Sequence, residues 1–210
     1  MRKWYPALPI AVMVIVSMIV YPRLPDQVPT HWDWQGQVND WQSRPLAVAF
    51  LPMLALVIWG AMRALPSIDP RRANYSKFQP TYDFVIGATV TMMALIHLAV
   101  LASALGAPVP IHRVIPIAVG LVLVAIGNQL PRARSNWWFG VRTPWTLSND
   151  RVWERTHRVA GYLMTACGAV MIIGAFMFDF IGPLVLVCVV GSVIGSVIFS
   201  YLAWRQETSK

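Results

Sequence analysis

Two stretches of this sequence carry side chains whose types and spacing could do chemistry, and both lie outside its long apolar runs. In the first, LPDQVPTHWDWQGQVNDWQSR, His31, Asp33 and Asp40 are set around Gly36 and Trp41, and His112 opens a later apolar run. Imidazole with carboxylates suits zinc or a similar divalent ion, which makes His31, Asp33, Asp40 and His112 the candidate ligands. Their spacing matches no dedicated zinc motif. The expectation is therefore a braced loop without metal or other cofactor, in which His31 and Asp40 hydrogen-bond the loop backbone and each other.

The second stretch, Gly127 to Gly161, packs six arginines and four tryptophans into a polar segment between apolar runs. Asn128 and Pro131 close the preceding run, and Arg132, Asn136, Trp138, Gly140, Arg142, Thr143, Pro144 and Trp145 form the centre. A helix is expected from about Leu147, with Asn149 as its cap, Asp150 in its first turn and Glu154 four residues before Arg158. Trp153, His157, Ala160 and Met164 share one face of it, so it runs on into the next span. Planar guanidinium forks could grip lipid phosphate or an acidic partner. The alternative is self-bracing, with Arg142 and Arg158 on helix carbonyls, Gly140 turning the chain and Pro144 setting φ. The sequence has no paired nucleophile and base, no HExxH and no phosphate-cradling glycine loop, so an enzyme is not expected.

The elements that must position these residues are membrane helices. Hydrophobic residues make up 57% of the chain and charged ones 12%, with a mean hydropathy of +0.55, which excludes an ordinary soluble domain. Runs near 5–21, 46–65, 82–105, 111–129, 159–180 and 181–203 are each about the 20 residues that a ~30 Å hydrocarbon core requires. The fold class is all-α, a polytopic bundle of six transmembrane helices. Of the 17 basic residues, all but Arg23, Arg44 and Arg113 fall on one side if both termini are cytoplasmic, and the positive-inside rule selects that topology. The net charge of +8 then reflects loops facing anionic lipid rather than nucleic acid. The first run follows Arg2 and Lys3 but lacks a cleavage pattern, and reads as a retained helix. Trp32, Trp34 and Trp41 suit an interfacial belt, and Cys167 and Cys188 read as thiols buried in apolar runs. His97 is the ionisable group well inside a span, expected to bond across to a neighbouring helix, with Asp83 and Asp179 near span ends. Gly191 and Gly195, with Ser192 and Ser196, offer a GxxxG-type face for a contact within the bundle or between subunits.

The second stretch, with its Asn136-Trp137-Trp138-Phe139-Gly140-Val141-Arg142-Thr143-Pro144-Trp145-Thr146 centre and its Trp153, Thr156, His157, Arg158 order, resembles the signature of the SdpI family of bacterial membrane proteins. Ser135 departs from the proline expected there. The first stretch resembles the DUF1648 domain at the amino end of many such proteins, through a Pro two residues before His31, then Gly36, Asp40 and the basic Arg44. The resemblance implies two regions, a DUF1648-like one over 1–66 and an SdpI-like one over 67–210. It implies a multi-pass protein of the bacterial inner membrane that contacts lipid, neutralises an amphipathic peptide toxin and recruits a cytoplasmic repressor. A transporter of a small amphiphile, or a membrane enzyme with an outer-loop metal, are the alternative functions.

Overall fold

The structure, a computed structural model, describes residues 5–33, 35–178 and 181–209; Arg2, Lys3, Trp34, Asp179 and Lys210 lie outside them. The element order is α1 (Ala7–Val20), β1 (Gln27–Trp32), β2 (Val38–Ser43), α2 (Arg44–Ile68), α3 (Gln79–Ala104), α4 (Ile111–Gln129), α5 (Pro144–Ser148), α6 (Asp150–Met177) and α7 (Gly182–Thr208). Prolines at the first turn open α2, α3, α5 and α7, where the missing N–H costs nothing. Five helices, all but α1 and the single-turn α5, are long and apolar enough to cross a membrane. At 14 residues α1 rises about 21 Å, and the Tyr21–Arg23 3-10 turn carrying Pro22 ends it. The first apolar run is thus a shorter helix than its hydropathy suggests.

The expected loop between α1 and α2 is instead an antiparallel hairpin, β1 against β2, pairing Gln27 with Ser43, Val28 with Gln42 and His31 with Asp40. Pro29 is tolerated because a two-stranded sheet has only edge strands. The register slips around Thr30, which blurs the two-residue alternation that would have marked the strands. Val28 is fully buried and joins Leu24, Ala47, Val100 and Leu101 in a small core that seats the hairpin on α2 and α3.

Helix α6 lies along both α4 and α7, while α3 joins α4 to α1 and α2. The α4–α6 contact is backbone to backbone. A Cβ on Gly127 would lie 2.7 Å from the Gly161 carbonyl oxygen and 2.6 Å from Thr165 Oγ1, and one on Gly120 would lie 2.7 Å from the Gly168 carbonyl oxygen. Seven residues separate the glycines on each helix, so the antiparallel pairs Gly120/Gly168 and Gly127/Gly161 stand on one seam. Packing this close is what holds helices together in lipid, where burial of apolar surface gives no drive. Leu8, Met18, Met53, Val57, Phe176 and Val187 are all more than 60% exposed on the outer surfaces of the helices, as a bilayer solvent requires.

On α7 the inward stripe is Cys188, Ser192, Ser196 and Ser200, all buried. Nothing lies within 4 Å of a Cβ on Gly191, and only Leu163 Cδ1 meets one on Gly195, at 3.2 Å. The internal contact therefore uses the serines of this motif, whose hydroxyls return to their own helix carbonyls. Both cysteines are free, and the Cys167 thiol donates to the Cys188 carbonyl at 3.1 Å. His97 on α3 is 1% exposed and meets Ser17 Oγ of α1 at 2.7 Å, a cross-helix pair.

The seam predicts opposite effects for one substitution at two glycines. Gly127→Ala meets backbone on the facing helix and should cost about 1–3 kcal/mol, lowering the unfolding temperature by roughly 3–10 °C. Gly191→Ala meets open space and should leave it unchanged or higher. Thermal unfolding of the two purified variants in one detergent checks this; equal shifts would contradict it.

Candidate functional site

The chain between α4 and α6 has little regular structure, yet its backbone polar groups are paired with buried side chains. Asn136 is fully buried. Its Oδ1 accepts from the Trp138 and Phe139 amides at 2.9 and 2.7 Å and from the Tyr75 hydroxyl at 3.2 Å, while Nδ2 donates to the carbonyls of Arg134 and Phe139. A buried amide with both ends satisfied fixes its surroundings more tightly than any apolar residue.

Asp69, 2% exposed at the end of α2, is the second centre. It accepts from the Arg71 amide, the Tyr75 hydroxyl and the Trp137 amide at 2.7, 2.8 and 2.9 Å. Burial, then the hydrogen bond to Asp69, push the Tyr75 phenol far above its ordinary value near 10, so it remains a donor. The Arg71 guanidinium bonds Ser135 Oγ and the Leu147 carbonyl. Phe139 stacks on Phe78 and meets Tyr82 edge-on. Together these contacts tie the α2–α3 connection to the α4–α6 loop. Sequence reasoning missed Asp69 and Tyr75, and noted Ser135 only as a departure from proline; the signal available was a lone acid, Asp69, beside Pro70 at the end of an apolar run.

Gly140 has φ +102°, and a Cβ there would run into His157 Nε2, so only glycine fits. That nitrogen accepts from the Val141 amide at 3.0 Å, while Nδ1–H donates to the Trp153 carbonyl at 2.8 Å. With one nitrogen accepting and one donating, the fully buried imidazole is neutral. It stacks on Trp153, 3.9 Å away, whose indole donates to the Ala133 carbonyl. Thr143 caps α5 in a reciprocal capping box with Thr146, bonds Ser200 of α7, and places Pro144 at the first helical position. This short helix, and Trp145 against Tyr201, precede α6, whose cap is Asn149 as the sequence implied. Thr156 is fully buried, and its hydroxyl has no partner among the described residues.

The arginines divide differently from the expectation. Arg142 is exposed and donates to the Trp137 carbonyl at 2.9 Å, a loop carbonyl rather than a helix end. Arg158 is exposed, with no ion pair among the described residues. Glu154 pairs with Arg134 of the loop at 2.5 Å, not with Arg158. Arg132 bonds Gln129 and the Asn128 carbonyl, and Pro131 packs against Gly161. Arg155 joins Glu207 and Gln206 of α7. Trp137 and Trp138 are 48% and 39% exposed beside this surface.

At the opposite end, His31 Nδ1 bonds Asn39 Oδ1 at 2.5 Å rather than Asp40. Asp33 caps the turn through the Gln35 and Gln37 amides, and Asp40 accepts from the Trp41 amide. Gly36, at φ +80°, lies under His112, and Trp41 is half exposed. Among the described residues no three His, Cys, Asp or Glu side chains converge as a metal would require.

The buried centres predict a steep contrast with the exposed arginines. Asn136→Ala strands several buried donors and acceptors and should cost about 3 kcal/mol or more, roughly 6–12 °C in unfolding temperature. Arg158→Ala should shift it by no more than about 2 °C. Thermal unfolding in detergent distinguishes them, and a tolerated Asn136→Ala would contradict the assignment.

Residues 132–202 match the SdpI/YfhL protein family, and residues 8–56 match a domain of unknown function, DUF1648. The chain is 25% identical over 193 residues to the immunity protein SdpI of Bacillus subtilis (strain 168), covering 91% of this chain and 90% of that protein. No solved structure matches it significantly. The first match spans Asn136, His157, α6 and most of α7, and the second spans α1, the hairpin and the start of α2: the chain is a multi-pass bacterial inner-membrane protein that is similar to the SdpI family in its second half and to the DUF1648 domain at its amino end.

Proposed function

We propose that the protein is a membrane immunity and signalling protein, which protects its cell from a membrane-active peptide and passes the encounter to a cytoplasmic regulator. The observation that carries this reading is the likeness to an immunity protein over nearly the whole of both chains. The geometry supports it in a further way. Asn136, Asp69 and His157 are spent on holding the loop's shape, while Arg132, Arg142 and Arg158 stay exposed, as do Trp137 and Trp138. A rigid basic and aromatic surface suits an acidic partner at a lipid boundary. The hairpin at the other end then faces the side from which a secreted peptide arrives.

This reading needs six crossings, with both termini and the α4–α6 loop in the cytoplasm. Alternating helix directions put Arg63, Arg71, Arg72, Lys77 and every Arg from 132 to 158 at one end, and Arg23, Arg44 and Arg113 at the other, as the positive-inside rule favours. On a cysteine-free background in intact cells, Gln37→Cys should react with an impermeant maleimide and Ser148→Cys should not. The reverse pattern would overturn the topology.

Expression in a sensitive bacterium should raise the tolerated concentration of a membrane-active peptide by about tenfold or more. Arg142→Lys, which keeps the charge but loses the planar fork, should return tolerance most of the way to the empty-vector level at unchanged membrane abundance. A wild-type protein that gives no protection would sink the immunity reading.

A further inference from the structure

Beneath the hairpin lies a cavity of about 210 Å³, lined by Thr30 and Trp32 of β1, Gln42 of β2, Phe50 of α2 and His97 of α3 among others. Its volume is below the ~300 Å³ at which pockets for drug-sized ligands begin, and equals roughly seven waters at ~30 Å³ each. One amino-acid side chain fills such a space. The half-exposed Phe50 lines it, and His97, held by Ser17 of α1 at 2.7 Å, forms part of its buried wall. Thr30 Oγ1 is buried and has no hydrogen-bond partner among the described residues, an unmet donor and acceptor that a bound group could satisfy.

The lining holds no carboxylate, ammonium or guanidinium, so a charged occupant would meet no compensation and pay its full desolvation. An uncharged one with an apolar body and one polar contact fits. Above it, β1 and β2 pair only with each other, so each keeps an unpaired edge. An extended peptide laid along such an edge gains main-chain hydrogen bonds and points alternate side chains toward the sheet's two faces.

We propose that this cavity is a side-chain receptor: it takes one uncharged apolar side chain of a peptide held in extended form along the hairpin. The inference rests on the immunity reading for the identity of the peptide, but not for the existence of the site. Thr30 and Gln42 meet the inserted residue's own peptide group, while Trp32, Phe50 and the wall around His97 enclose its body.

The test uses the full-length protein in lipid nanodiscs, with Cys167 and Cys188 replaced by Ala and Ile115→Cys, on the cavity lining but without an assigned contact, as reporter. N-acetyl-phenylalaninamide, a neutral mimic of one peptide residue, at millimolar concentration should slow alkylation of the reporter by a neutral maleimide fivefold or more. Free phenylalanine, a zwitterion, should slow it less than twofold. Ala47→Leu, which fills the cavity from the first turn of α2, should abolish the protection. If that variant does not fold, Gln42→Leu on the less buried strand should weaken protection severalfold. Absence of protection by the amide, or equal protection by the zwitterion, overturns the receptor. Probe protection in a protein that confers no peptide resistance leaves the receptor standing and removes the immunity reading. Full resistance in the filled Ala47→Leu variant detaches the receptor from the peptide.

Discussion

The close approach of α4 and α6 is the contact on which the rest of the protein depends. In a bilayer, lipid tails solvate apolar side chains as well as another helix does, so helices stay together by fitting and by polar pairing. Gly120 against Gly168 and Gly127 against Gly161 let two backbones touch, and side chains elsewhere then mesh along the same line. The seam also sets the distance between the end of α4 and the start of α6. The loop joining them must fold back on itself over a short gap, and its polar groups must find partners there.

Those partners come from a second connection. Asp69 and Tyr75, between α2 and α3, reach Trp137 and Asn136, so a loop that could have frayed is locked to another loop across the bundle. Buried polar groups are costly unless satisfied, and the satisfied ones specify a single arrangement. The loop's exposed arginines thus ride on a fixed base. The hairpin at the other end is seated by apolar contacts, chiefly Val28 with Val100 and Leu101. One end of the molecule is held chiefly by buried hydrogen bonds, the other by apolar packing.

Much of this was legible in the sequence. The long spans followed from hydropathy, Asn149 from its place before Asp150, and the continuous α6 from the spacing of Trp153, His157, Ala160 and Met164. The α4–α6 seam was not, because Gly120, Gly127, Gly161 and Gly168 are separated by seven residues and the shorter GxxxG spacing of Gly191 and Gly195 drew the eye. The hairpin was hidden by Pro29 and by the slipped register near Thr30, which break the strand alternation. Asp69 and Tyr75 were hard to read for another reason: their partners on the second loop, Trp137 and Asn136, lie more than 60 residues away, and no local pattern announces a hydrogen bond across two loops.

Amide hydrogen exchange over residues 136–143, in the wild-type protein held in lipid nanodiscs, tests the central claim most directly. The amides of Trp137, Trp138, Phe139 and Val141 donate to Asp69, Asn136 and His157, within a stretch that has no helix or strand. A locked loop should exchange them at least about a hundredfold more slowly than an unstructured peptide, approaching the protection of the helices beside it. Exchange within about tenfold of the unstructured rate would mean that the loop is not fixed by these side chains, and the account of a rigid signature surface would fail.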